Sequence, residues 1–136
     1  MKRILLKLSG ESLSGKQGFG LDPEAVLSVC NGIKDLVNHG IEVAVVIGGG
    51  NLFRGSDGKK MELARVSADH MGMLATIMNG ICLKEVLQGL KVDAVCMSAI
   101  GCDGIVERFH AEKAKKELED KKVVICVGGT GNSFFT

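Results

Sequence analysis

An α/β fold with a mostly parallel sheet, laid out as a three-layer α/β/α sandwich, is the architecture this sequence predicts. Four short runs rich in β-branched and aliphatic residues punctuate the chain, at 3–8, 42–47, 92–97 and 122–127. Their apolar character is nearly continuous rather than alternating, as expected of strands buried on both faces of a parallel sheet. Helical patterns separate them, and strands that alternate with helices through right-handed crossovers build such a sheet.

The elements follow in order. Strand 3–8 runs into Ser9 and Gly10. The clearest helix comes next: Asp22 supplies an N-cap, Pro23 the first helical position and Glu24 an acid in the first turn. Val26, Val29, Cys30, Ile33, Leu36 and Val37 then recur at helical spacing until Gly40 ends the run. Strand 42–47 ends in Gly48, Gly49, Gly50 and Asn51. A long helical pattern spans 62–90; its middle, 71–87, is apolar on most faces and carries Gly72, Thr76 and Gly80 at four-residue intervals. A row of small residues permits close backbone approach, which suits a helix facing both the sheet and another subunit, or one buried in a core. Strand 92–97 leads to Asp103 in a turn. Residues 107–121 read as a charged amphipathic helix with Phe109, Ala114 and Leu118 inward and Glu112 placed to pair with Lys116 at i,i+4 spacing. Strand 122–127 ends in Gly128, Gly129, Thr130 and Gly131.

Composition narrows the function. In a chain of 136 residues, apolar residues make up 46% and charged residues 24%, and the net charge of +1 offers neither nucleic acid nor an anionic membrane an electrostatic reason to bind. Tryptophan and tyrosine are absent, so no stacking platform for single-stranded nucleic acid is expected. Small ligands are the expected partners. The 5 cysteines (Cys30, Cys82, Cys96, Cys102, Cys126) contain no C-x-x-C pair and mostly sit in apolar runs, which reads as buried thiols in a reducing compartment. No apolar run approaches the roughly 20 residues of a membrane span, and the first ten residues do not form a signal segment. A cytoplasmic protein is expected.

The chemistry is expected at the strand ends. In open α/β sheets ligands bind beyond the carboxyl ends of the strands, where loops feed helix N-termini whose free N–H groups attract anions. The loops after strands 3–8, 42–47 and 122–127 all carry glycine at that edge, which points to a phosphate site. Residues 10–16 have the spacing of a Walker A loop but continue into Gln17 where a magnesium-holding hydroxyl is needed, then Gly18, Phe19 and Gly20 where a helix should begin. Residues 15–20 are read instead as a flexible turn or short hairpin. Lys7, a cation inside an apolar strand, is placed either to stabilise a transferring phosphoryl group or simply to reach water. Arg54 is suited to clamp a phosphate or to be solvated. Asp69 and His70 are suited to ribose hydroxyls or to an ordinary polar stripe.

Taken in order, residues 2–11, 46–55, 69–76 and 129–136 closely resemble bacterial uridylate kinases of the amino-acid-kinase fold, which is also the fold of the carbamate kinases. The resemblance covers the whole chain. It implies transfer of the γ-phosphoryl group of ATP to UMP in pyrimidine nucleotide biosynthesis, with Mg²⁺ bridging ATP oxygens and no metal held by protein ligands. Lys7, Leu8, Ser9, Gly10, Gly50 and Arg54 would hold ATP, with Lys7 catalytic. Gly49, Asp69 and the segment Thr130, Gly131, Asn132, Ser133, Phe134, Phe135 and Thr136 would hold UMP. Gly15, Lys16, Gln17, Gly18, Phe19 and Gly20 fall where the family can bind GTP as an activator. Members are hexamers, and the 71–87 helix would lie between subunits.

Ser133 stands where the family usually has proline. Gln88 and Val95 stand where strongly GTP-controlled members often carry His and Arg, which argues against strong GTP control. The resemblance also places a threonine, a catalytic aspartate and the adenine and ribose pocket beyond Thr136. Residues 1–136 are therefore expected to form a single incomplete, C-terminally truncated domain with the UMP and phosphate half, inactive by itself at a useful rate. Competing readings are an inactive nucleotide-binding or subunit-interaction fragment, and a kinase of the same fold acting on an amino acid or carbamate.

Overall fold

The computed structural model describes residues 2–134. Its five strands form one wholly parallel sheet: β1 (Arg3–Leu8), β2 (Glu42–Ile47), β3 (Ala94–Ser98), β4 (Glu107–Arg108) and β5 (Val123–Val127), in the spatial order β1-β2-β5-β3-β4. Helices α1 (Pro23–Asn38) and α3 (Arg65–Gly89) pack on one face, and α4 (Ala111–Glu119) covers β5 and β2 on the other. A short helix, α2 (Gly55–Lys60), packs against α3. The three-layer α/β/α sandwich is thus present.

Pleating divides the core. Val43, Val45, Ile47, Val123, Ile125 and Val127 point toward α1 and α3, where Cys30, Ile33, Ile77, Leu83 and Leu87 meet them. The smaller second cluster joins Met97 and Val124 to Ala114 and Leu118 of α4. Because α4 is short, it leaves the same face of β1 open, and Leu5 is 60% exposed. β1 therefore alternates half-buried with exposed residues, unlike the doubly buried strand expected from its apolar run.

α1 forms as its caps dictate. The Asp22 carboxylate accepts the Ala25 N–H at 3.0 Å, and Gly40 takes the left-handed conformation (φ +79°) just beyond the helix. Elsewhere local pattern and fold disagree. Residues 107–108 form β4 rather than a first helical turn, because Met97 and Ser98 offer a free strand edge and the Phe109 N–H reaches the Ser98 carbonyl at 2.7 Å. α4 consequently starts at Ala111, Phe109 is 44% exposed rather than inward, and Glu112 pairs with Lys115, not Lys116. The long helix starts at Arg65 rather than at residue 62, since Glu62 is left-handed (φ +56°) and the Leu63 N–H closes on the Gly58 carbonyl. α2, which the sequence pattern did not suggest, is fastened by the Asp57 carboxylate accepting the Arg54 N–H at 3.1 Å. Residues 10–20 form two short 3-10 turns, Gly10–Leu13 and Gly15–Gln17, and not a hairpin.

Burial pushes the thiol of Cys30 up to about 11 and that of Cys96 up to about 12, and raises those of Cys82 and Cys126. These thiols are packing groups rather than nucleophiles. No helix among the described residues is long and apolar enough to cross a membrane.

The small-residue row of α3 serves the sheet at its buried end. A Cβ at Gly80 would lie 2.4 Å from Val127 Cγ1 and 2.9 Å from Cys96 Sγ, whereas one at Gly32 in α1 meets nothing within 4 Å. Gly80→Ala should therefore destabilise the fold by about 1–3 kcal/mol through overpacking of a β-branched neighbour. Gly32→Ala should stabilise it by about 1 kcal/mol through helix propensity. Urea unfolding midpoints of the two variants check this pair of opposite signs.

Candidate functional site

Parallel strands deliver all their carboxyl ends to one edge, and here the ends of β1, β2 and β5 lie side by side. A cleft of about 1010 Å³ opens at that edge between the strand ends, α2 and the N-terminal half of α3. Its charged lining residues are Lys7, Lys59, Arg65 and Asp69, a net positive set that suits an anion. An apolar side is supplied by Phe53, Leu63, Ala68 and Met73.

The second glycine loop is held at close quarters. Gly48 donates its N–H to the Leu8 carbonyl at 2.9 Å, extending the β1–β2 pairing by one step. Gly49 rests on α3: a Cβ there would lie 2.7 Å from Ala75 Cβ and 3.1 Å from the Gly72 carbonyl. Gly10 approaches the same loop from β1, with its Cβ position 2.7 Å from the Gly50 nitrogen and 2.5 Å from Asn51 Oδ1. Among the described residues the N–H groups of Gly49 and Gly50 have no acceptor. Unpaired backbone donors beside an ammonium are what a phosphate site requires.

Lys7 stands at the end of β1, exposed, lining the cleft and without an ion-pair partner among the described residues. Leu8, Ser9 and Gly50 also line the cleft, whereas Gly10 and Arg54 are not in its lining. Arg54 is held beside it, with Nε donating to the Gly50 carbonyl at 3.0 Å and lying 3.7 Å from the Glu11 carboxylate.

Across the cleft, Asp69 on α3 faces the loop after β5. Its Oδ2 accepts the Phe134 N–H at 2.7 Å, and its Oδ1 accepts from Arg65 Nε at 3.2 Å, while the Arg65 guanidinium lies 4.7 Å from the centre of the Phe134 ring. The loop between is also tied down, since the Gly128 N–H donates to Thr76 Oγ1 at 2.8 Å and Gly128 packs against Ser98 and Ala99 with φ +82°. Gly129 lines the cleft; Thr130, Gly131, Asn132, Ser133 and Phe134 arch beside it and are not in its lining. Phe135 and Thr136 lie outside the described residues. Residues 15–20 are not in the lining, and Gly20 is tied to Asn51, which follows the lining residue Gly50.

Sequence reasoning missed the polar interior of α3. Asn79 is fully buried, and Asn51 is 3% exposed. Asn79 Nδ2 donates to the Gly48 carbonyl at 2.7 Å and to Asn51 Oδ1 at 2.8 Å; Asn51 Nδ2 donates to Asn79 Oδ1 at 3.2 Å and to the Gly20 carbonyl at 2.9 Å. The available signal was a lone primary amide inside the apolar 71–87 run. Thr76, read only as a small residue, contributes its hydroxyl to the β5 loop. Lys59 and Arg65 gave no signal beyond their charge.

Comparison with known proteins agrees with this geometry. The profile of the amino acid kinase family matches residues 2–134. A uridylate kinase of Protochlamydia amoebophila is 51% identical over 135 residues, covering 99% of this chain and 54% of its own. One from Vibrio cholerae is 50% identical, with 99% and 56% covered. The chain therefore spans about half the length of these relatives. The crystal structure of UMP kinase from Ureaplasma parvum superposes with a TM-score of 0.93 at 38% identity, covering 99% of this chain and 59% of that one. That of Bacillus anthracis gives 0.94 at 36%, with 99% and 56% covered.

The Phe134 N–H, helped by Arg65 and opposed by partial burial, holds the Asp69 carboxyl below its ordinary range. A depressed folded-state value means that the contact is fully present above the unfolded value near ~3.9 and is lost only as pH falls through the lower, folded value. In ¹⁵N–¹H spectra the Phe134 amide should keep its neutral-pH position through about pH 4 and move only in stronger acid. Asp69→Asn, which keeps an acceptor but cannot ionise, should remove that titration. A wild-type midpoint at or above about 4 would contradict the assignment.

Proposed function

This chain belongs to the amino acid kinase family, and we propose that it forms the UMP-binding and phosphate-binding part of a uridylate kinase, which moves the γ-phosphoryl group of ATP onto UMP. The observation that carries the reading is a convergence. The Lys7 strand end, the unpaired Gly49 and Gly50 N–H groups and the Asp69 carboxylate all meet one net-positive cleft. The likeness to relatives named uridylate kinase supports UMP as the acceptor.

In this reading Lys7, Leu8, Ser9, Gly10, Gly50 and Arg54 serve the triphosphate. Gly49, Asp69 and the segment 130–136 serve UMP, with Asp69 offered to ribose hydroxyls. A UMP phosphate oxygen attacks the γ-phosphorus as the bond to the β,γ-bridging oxygen breaks and ADP leaves. The attacking oxygen is already ionised, so no general base is needed. The work of the protein is to align the two phosphates and to neutralise the charge they share, Lys7 by its ammonium and the glycine loops by their N–H groups. Mg²⁺ is taken to arrive with ATP as part of the substrate.

The exposed Met71, Leu74 and Met78 on α3, at 40%, 50% and 55%, suit a subunit contact, in keeping with a homo-oligomer, a hexamer by resemblance, working in the cytoplasm.

Titration calorimetry on the 136-residue chain tests both halves of the site. UMP should bind saturably, and Asp69→Ala should weaken it by about tenfold or more, the loss of a charge-assisted hydrogen bond. MgATP binding should be weakened by a similar factor, about tenfold, in Lys7→Ala. UMP binding indifferent to Asp69→Ala would remove that residue from the acceptor site, and binding of carbamate or an amino acid in place of UMP would redirect the assignment within the family.

A further inference from the structure

We propose that Asn79 is a positioning residue. Acting through Asn51 and the Gly48 carbonyl, it sets where the Gly49 and Gly50 N–H groups stand at the sheet edge and locks the Gly20 turn into the same frame. This rests on the reading of that glycine loop as a phosphate site.

The hydrogen-bond inventory carries the inference. A primary amide has two donors and one acceptor oxygen, and in this pair every one of them is used. Asn79 spends its donors on the Gly48 carbonyl and Asn51 Oδ1, and Asn51 spends its own on Asn79 Oδ1 and the Gly20 carbonyl. Both side chains are buried, at 0% and 3%, so water cannot substitute for either partner. Asn51 also accepts the Gly20 N–H on its backbone carbonyl at 2.8 Å, so both polar groups of Gly20 end on one residue. One turn earlier on the same helix, Gly49 lies in direct contact with Ala75 and the Gly72 carbonyl. α3 thus holds the loop by steric contact at Gly49 and by the Asn79 amide at Gly48, and leaves the Gly49 and Gly50 donors unpaired among the described residues.

The network ties together three segments that share no secondary structure: the Gly20 turn, the Gly48 loop and the middle of α3. No apolar residue could do this. Leucine at position 79 has a similar volume, but it would leave the Gly48 carbonyl and Asn51 Oδ1 without partners and Asn51 Nδ2 with its Gly20 bond alone. The loop would be free to shift relative to Lys7, and a shift of about 1 Å is enough to spoil phosphate alignment.

The test is native-state amide hydrogen exchange on the ¹⁵N-labelled chain, compared for wild type, Asn79→Leu, Asn51→Ala, the double variant and Glu85→Gln, an exposed control on the same helix. Protection of the Gly20 amide should fall about tenfold or more in each Asn variant while β5 amides keep theirs. The double variant should lose no more than the worse single one, as residues acting as one unit do. MgATP titration should then give at least about tenfold weaker binding in the Asn variants and none of this in Glu85→Gln. Loss of protection spread evenly over all amides, or additive losses in the double variant, would reduce Asn79 to an ordinary stabilising residue and overturn the proposal. Unchanged Gly20 protection would overturn it as well. Should Asn79→Leu fail to fold, Asn51→Ala decides the matter from the loop side. A wild-type chain that binds no nucleotide counts against the proposed function, while the Gly20 amide still reports on positioning.

Discussion

A buried primary amide on one helix is the constraint on which the ligand edge of this protein depends. α3 runs 25 residues, roughly 37 Å at 1.5 Å per residue, beneath the carboxyl ends of the strands. Along it, Asp69, Thr76 and Asn79 each catch a loop emerging from the sheet. Of these, Asn79 is the one with no access to water, and orphaning any of its buried partners would cost about 1–3 kcal/mol each. That is a large share of the stability of a domain this size, about 5–15 kcal/mol. The segments with the greatest conformational freedom are therefore referenced to the most deeply packed helix.

The glycines follow from that arrangement. Where Gly49 meets Ala75 and Gly10 meets Gly50, backbone lies on backbone, and any side chain would force the loop away from the strand ends. Gly49 and Gly50 line the cleft, and their N–H groups have no acceptor among the described residues. The site is thus built mostly from main chain, with Lys7 supplying the concentrated charge. Such a site suits phosphoryl transfer, in which the catalyst mainly aligns and neutralises groups that are already ionised. On the opposite wall, Asp69 links the β5 loop to α3, the same helix that holds the Gly48 loop.

Much of this was legible in the residues. Strands β1 and β2 were found at their true bounds because a short aliphatic run leading into a glycine turn has few other uses, and α1 because Asp22, Pro23 and Gly40 mark its ends chemically. The glycine loops were legible as a set, since they recur after strands that must share an edge. β4 was not legible: Glu107 and Arg108 have no strand propensity and pair only because Met97 and Ser98 present an unfilled edge. The start of α3 was misread because the helical period continues through Glu62, where the backbone turns left-handed to close on Gly58. α2, with glycine at both Gly55 and Gly58, contradicts propensity and is held by its contact with α3. Asn79 was hidden for a related reason, as one polar letter within an apolar stretch carries no direction until its partners are known.

The sequence by itself determined the parallel α/β class, the edge that gathers the glycine loops, the cation at the end of β1 and, through its ordered motifs, the family. Those are consequences of local chemistry: period, caps, β-branching and glycine placement act over a few residues and survive without knowledge of neighbours. The tertiary structure alone decided which loops touch, that Asp69 holds the Phe134 N–H from 65 residues away, and that Asn51 and Asn79, 28 residues apart, share one set of hydrogen bonds. These depend on burial and on long-range geometry, because a polar side chain acquires a role only when packing removes water and leaves it one set of partners.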